Sequence, residues 1–163
     1  MRKIGIFVVT GLAGLAMTLG LTMASGATAQ AATYRMQIYE IWYNSPGPDY
    51  GGNTSLNHEW VKLHNTSSAS INLAHWTLRD KAGHVFVFGS YTIKPRGYVT
   101  IHTGHGTGTQ TDRYWNHSWY IWNNTGDTAI LRNQNGTTID SCTYKGTSQG
   151  YVLQTFSSCC RGD

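Results

Sequence analysis

From Trp122 to Asp140 the chain reads as a polar turn, a strand, a tight turn and a second strand. Asn123, Asn124, Thr125 and Gly126 crowd the first turn. Asn135-Gly136 marks the second, because both residue types accept positive φ. The stretch holds no nucleophile–base pair, no metal-ligand spacing and no phosphate loop. What it constrains is the fold.

The same grammar runs upstream. Residues 34–43 alternate, which places Met36, Ile38 and Glu40 on one face and Gln37, Tyr39 and Ile41 on the other. Residues 59–64 put Val61 and Leu63 on one face and Trp60, Lys62 and His64 on the other. Residues 73–78 put Trp76 and Leu78 together. Asp80-Lys-Ala-Gly83 is a hairpin turn, residues 85–88 return from it, Lys94-Pro-Arg-Gly97 is another turn, and residues 98–102 are another strand. Residues 44–53, with two Pro and three Gly, are a loop by composition, and the Gly-dense residues 104–112 are a second. The most aromatic segment, 113–122, separates that loop from the closing hairpin. The pattern predicts one all-β domain, an antiparallel β-sandwich of about seven to nine strands, with no internal repeat.

The N-terminus reads as a signal peptide. Met1-Arg2-Lys3 is a cationic start, residues 4–23 are apolar, and Ala27-Thr28-Ala29 or Ala29-Gln30-Ala31 suits a signal peptidase. A membrane anchor is the rival reading, since the apolar run approaches a spanning length. The glycines, the immediate small-residue pattern and the missing basic cluster favour cleavage. The expected organisation is a signal over residues 1–31 and a secreted β-sandwich over residues 32–163, with no membrane span after cleavage.

Without Arg2 and Lys3 the formal charge of +4 falls to +2. The remaining Lys and Arg are scattered singly, so a row of phosphates has no counterpart and nucleic acid is not an expected partner. The three cysteines, Cys142, Cys159 and Cys160, lie near the C-terminus. In an oxidising compartment Cys142 is expected to pair with Cys159 or Cys160, because vicinal pairing strains the backbone. The expected state is a monomer, and the odd thiol leaves a disulfide-linked dimer as the alternative.

The ordered set Ile38-Tyr-Glu-Ile41, Glu59-Trp-Val-Lys-Leu-His-Asn65, Leu73-Ala-His-Trp-Thr-Leu-Arg-Asp80, Gly83, Phe88, Pro95-Arg-Gly97, the run from Trp122 to Arg132, Asn135-Gly136 and Ile139-Asp140 resembles the lamin tail domain family. It is similar to the bacterial secreted members rather than to nuclear lamins. The resemblance implies an immunoglobulin-like sandwich and a non-catalytic interaction module, alone or attached to exported hydrolases and nucleases. It supplies no catalytic residue. It implies that Trp76, with Val61, Leu63 and Leu78, belongs to the core, and that Asn65, Asp80, Gly83, Asn124, Gly126 and Asp127 set turns.

Each chemical signal has a plainer reading beside it. Gly146-Thr-Ser-Gln-Gly150 matches a nucleophile elbow around Ser148, but the strand-to-helix context is missing. His102, His105 and His117 do not form a convergent zinc set by spacing. Asp49, Asp112 and Asp127 match no calcium loop and read as turn formers. Glu40 and Glu59, the only glutamates, read less as a glycosidase pair than as strand residues paired with Arg or Lys across the sheet. Five Asn-x-Ser/Thr sequons matter only in a eukaryotic source, which is not expected, and Arg161-Gly162-Asp163 reads as a chance three-residue match. No cofactor and no metal are expected. Tyr114, Trp115, Trp119 and Tyr120 are the candidate ligand-binding residues, because exposed rings beside polar groups suit a sugar or a protein. Three functions follow: a non-catalytic module binding an extracellular protein or glycan, a carbohydrate-binding module, or a small secreted hydrolase.

Overall fold

The computed structural model describes residues 36–153. The expected signal peptide over residues 1–31, Cys159, Cys160 and Arg161-Gly162-Asp163 lie outside them. The described residues carry eleven strand segments and one helical turn: β1 (Met36–Trp42), α1 (Asn53–Asn57), β2 (Trp60–Asn65), β3 (Ile71–Asn72), β4 (Thr77–Arg79), β5 (Val85–Val87), β6 (Thr92–Ile93), β7 (Tyr98–His102), β8 (Asp112–Tyr114), β9 (Gly126–Arg132), β10 (Thr138–Lys145) and β11 (Tyr151–Leu153). The count exceeds the expected seven to nine partly because β3 and β6 pair over only two residues each.

Two main sheets form the immunoglobulin-like sandwich. One has the order β11-β1-β2-β7-β8, the other β10-β9-β4-β5. Every pairing is antiparallel except β7 with β8. That exception was not expected. The glycines of residues 104–108 let the chain double back and lay β8 beside β7 in the same direction, with the Thr100 N–H donating to Thr111 O at 2.8 Å.

Alternation in β2 is as read: Val61 and Leu63 are wholly buried, while Trp60, Lys62 and His64 are half-buried on the outer face. The assignment for β1 fails beyond Ile38. Met36, Ile38 and Ile41 are all buried, so Ile41 faces the core and not the side of Gln37. A β-bulge is the cause. Ile38 opposes Leu63 and Glu40 opposes Lys62, so Tyr39 is an extra residue with no partner on β2. One inserted residue reverses the facing of everything after it. A second bulge lies in β10 between Thr138 and Asp140. The two irregular strands are joined where the Ile38 N–H donates to Asp140 Oδ2 at 2.7 Å.

Residues 73–78 do not form the continuous strand expected. The Trp76 N–H donates to Leu73 O at 2.9 Å and His75 sits at φ 65°, so the chain turns before β4 starts at Thr77. Trp76 and Leu78 nevertheless both reach the core, 1% and 0% exposed. Trp122 and Phe88 fill the space beside them from loop positions.

Short polar side chains set the turns. Asp80 Oδ1 accepts from the N–H groups of Gly83 and His84, both at 2.7 Å, and Gly83 sits at φ 104°. Asn133 Oδ1 accepts from Asn135 and Thr137, both at 3.0 Å, closing the hairpin between β9 and β10. Buried Asn65 donates to Ala69 O and Lys94 O and accepts from Ser67, so its amide is fully used. Among the described residues no helix is long and apolar enough to cross a membrane.

Trp76→Ala is expected to cost about 3–5 kcal/mol through the cavity it leaves, measured by urea unfolding. Cys142 is wholly buried on the inner face of β10, and its expected partners lie outside the described residues. Non-reducing peptide mapping of exported protein should find Cys142 linked to Cys159 or Cys160; three free thiols would exclude that pairing.

Candidate functional site

One end of the sandwich is built from two loops that meet. The first, residues 43–52, runs from β1 into α1. It is tied down at its start, where the Tyr43 and Asn44 N–H groups both donate to Gly150 O at 3.1 Å. Further along, buried Ser45 donates its hydroxyl to Ser55 O at 2.6 Å. The second loop, residues 115–125, leaves β8 and crosses over α1. Ser55 Oγ and the Tyr120 hydroxyl share a hydrogen bond of 2.7 Å, and Asn124 Nδ2 donates to Asp49 Oδ2 at 3.0 Å. Asn53 and Asn57 each donate a side-chain N–H to His105 O at 3.0 Å, so the Gly-rich loop joins the same cluster.

Glu59 is the hub. It is wholly buried, and its Oε1 accepts from the Thr103 hydroxyl at 2.7 Å and from the Ile121 N–H at 2.8 Å. One carboxyl therefore pins β7 to the aromatic loop. This corrects the expectation of a cross-sheet pair with Arg or Lys: Glu59 precedes β2, beside α1, and its side chain turns inward rather than onto the sheet face. Burial lifts its pKa from 4.5 to about 7, opposed by the Ile121 and Thr103 hydrogen bonds and the Trp122 amide and helped by the Asp49 charge. Oε2 and Asn57 Oδ1 are both buried acceptors without a hydrogen-bond partner among the described residues. A proton on Oε2 turns one of those orphans into a donor.

The four aromatic candidates divide. Trp115 stands edge-on to Trp122, centroids 5.9 Å apart, and packs on the core. Tyr114 lies on the outer face of β8, stacked on His102 at 5.2 Å. Tyr120 is half-buried and bound to Ser55. Trp119 alone stands well out, 55% exposed. It is held nonetheless: its six-membered ring sits where a Cβ on Gly51 would be, and His117 Nδ1 lies 2.8 Å from Trp119 O. Beside Gly51, Tyr50 is 84% exposed. Tyr50 was not among the candidates, because nothing in its sequence context brings it to Trp119.

A second aromatic feature also escaped the sequence reading. Tyr151, Trp42, Trp60, His102 and Tyr114 are direct register partners across all five strands of the larger sheet, on its outer face. Trp42 stacks on Tyr151 with centroids 4.8 Å apart and planes 11° apart, and on Trp60 at 5.7 Å. The Lys62 ammonium lies 4.5 Å over Trp60. Ring faces in this row are covered by one another, so it acts chiefly as a cross-strand ladder. Outward Trp60 was visible in the sequence; outward Trp42 was not, because the bulge decides it.

The remaining candidates are accounted for locally. Glu40 pairs with Lys62 at 2.7 Å, as expected. His102 has Asn57 O 2.8 Å from Nδ1 and Asp112 Oδ1 3.1 Å from Nε2, so both ring nitrogens are engaged. Hydrogen bonds from Thr111, and from His102 and Thr109, hold the Asp112 carboxyl below its usual range. Asp127 accepts from Asn123 and from the Lys81 and Thr128 N–H groups. Ser148 lies in the turn between β10 and β11, so a strand and not a helix follows it directly. Among the described residues no three His, Cys, Asp or Glu side chains gather into a metal-binding group.

A family model of the Lamin Tail Domain matches residues 29–146. No curated protein matches the chain. The family is an immunoglobulin-like domain without catalytic machinery, in keeping with the resemblance read from the sequence.

A structural role for Glu59 has a measurable signature. Its folded pKa lies above its unfolded value, so the native state holds the proton more tightly. The stabilisation is present below about pH 4.5 and is lost as pH rises through about 7. The difference between wild type and Glu59→Gln in unfolding free energy should change by up to about 3 kcal/mol between pH 4.5 and pH 8. A difference independent of pH, from urea melts at both values, would mean that Glu59 titrates normally.

Proposed function

The chain belongs to the lamin tail domain family, and on that premise we propose that it is an exported, non-catalytic interaction module whose contact surface is the loop end carrying Trp119. The signal-like N-terminus supports export. The family supports a binding role rather than a catalytic one. The single observation that carries the choice of surface is Trp119 itself: a large ring kept 55% in water although His117, Tyr120 and Ile121 around it are anchored. Exposing an indole is unfavourable unless something covers it, and a rigid scaffold that keeps it exposed is what a contact residue requires.

A catalytic reading gains little from the geometry. The two glutamates serve other ends, one paired with Lys62 and one buried under the aromatic loop. His102, the best-held imidazole, is committed on both nitrogens.

The test uses the mature protein, labelled and incubated with washed cells of the source organism and with its cell-free medium components on beads. Retention should fall about tenfold or more in Trp119→Ala and in Tyr50→Ala, with the thermal midpoint within about 2 °C of wild type. Retention equal to wild type in both variants would remove the loop end as the contact surface.

A further inference from the structure

The loop end has chemistry specific enough to name a ligand class, an inference that rests on the reading of that end as a contact surface. We infer that Trp119, Tyr50 and the Asp49–Asn124 pair form a subsite for one neutral pyranose ring of a glycan.

A pyranose presents an apolar face of C–H groups and a rim of hydroxyls. Its binding site therefore needs an accessible ring and, at the edge of that ring, polar groups with unused capacity. Trp119 and Tyr50 are the most exposed aromatic side chains among the described residues, 55% and 84%. Gly51, the residue after Tyr50, is the one against which the Trp119 ring rests, which brings that ring to the Tyr50 segment. Gly51 sits at φ 74°, a conformation that side chains avoid, and any Cβ there would displace the indole. The ring's position is thus set before a ligand arrives, which lowers the cost of binding.

The polar rim is equally defined. Asp49 Oδ2 accepts from Asn124 Nδ2 at 3.0 Å, which fixes both side chains across the two loops. That bond uses one oxygen of Asp49 and one N–H of Asn124. Asp49 Oδ1, Asn124 Oδ1, the Trp119 indole N–H and the Tyr50 hydroxyl make no hydrogen bond within the described residues. Donors and acceptors are both on offer, as a hydroxyl that both gives and receives requires. The Asp49 carboxylate disfavours uronates, sialic acids and phosphorylated sugars, so the ligand is neutral.

The larger aromatic row does not offer the same. Trp42 is sandwiched between Tyr151 and Trp60, and Lys62 covers Trp60, so a sugar would meet ring edges there. Trp119 meets Tyr120 with planes 75° apart and is stacked on no other ring among the described residues.

The experiment titrates the mature protein, carrying ¹⁵N-labelled indoles, with cellohexaose, chitohexaose and hexagalacturonate. The Trp119 indole resonance should shift saturably with at least one neutral oligosaccharide and not with the galacturonate. Trp119→Ala should lower affinity about tenfold or more, Trp119→Phe should retain most of it, and Trp60→Ala should leave it unchanged. Asp49→Asn keeps the amide contact and removes the charge, so it should admit the galacturonate. If neither neutral oligosaccharide moves the Trp119 resonance, or if Trp119→Ala binds them as wild type does, the sugar subsite is wrong. Trp119-dependent retention on cell-derived material that neither neutral oligosaccharide competes away also overturns the sugar subsite, by assigning the same surface to a protein, and leaves the interaction-module reading standing. Loss of both results removes the two together.

Discussion

One inserted residue organises the larger sheet. Tyr39 has no partner on β2, so Ile38 and Ile41 can both enter the core and Trp42 is sent outward. Without that insertion the strand would bury Trp42 and expose Ile41, and the row from Tyr151 to Tyr114 would lose its centre. The bulge is held from the opposite layer by the Asp140 carboxylate on the Ile38 N–H, at a point where β10 carries its own irregularity. Bulges in the two sheets thus meet through one hydrogen bond, and the facing of the residues after each, from Glu40 in β1 and from Asp140 in β10, follows from them.

The loop end depends on a different constraint. A carboxyl with no cation beside it is buried where α1, β7 and the aromatic loop meet, and its hydrogen bonds to Thr103 and Ile121 replace the regular ladder that those segments lack. The cost of burial shows in the raised pKa, and the return is a pair of loops rigid enough to keep Trp119 in water. Sheet and loop end therefore treat aromatic side chains in opposite ways. In the sheet, rings cover rings and stabilise short strands. At the loop end, backbone and polar side chains do the stabilising and leave Trp119 and Tyr50 exposed.

The fold was readable because its signals are local. Asp80 to Gly83 and the alternation of residues 60–64 specify structure within a few residues and formed as read, and a turn formed at Asn135-Gly136 too, though it runs from Asn133 O to the Gly136 N–H and only Gly136 takes positive φ. What failed needed information from far along the chain. The facing of Ile41 depends on a register with β2, the parallel β7–β8 pair depends on how a glycine loop folds back, and the turn at His75 depends on contacts with residues 88 and 91. The site divides on the same line. Trp119 and Tyr120 were visible as members of an aromatic run, although Trp115 of that run serves the core. Tyr50 and the Asp49–Asn124 pair come from loops 75 residues apart and join only in three dimensions. Glu59 gave no sign of its burial, since a glutamate at the head of a strand ordinarily faces water.

The stacked rings on the larger sheet also turn the fold into its own optical reporter. Indole and phenol chromophores held 4.8 and 5.7 Å apart in fixed orientation mix their excited states, which produces a paired, opposite-signed circular dichroism signal. Because Trp42 and Trp60 sit on different strands, their couplet exists only while β1 and β2 are zipped in register. It would fade as β1 and β2 separate, so the centre of the larger sheet can be followed without any added label.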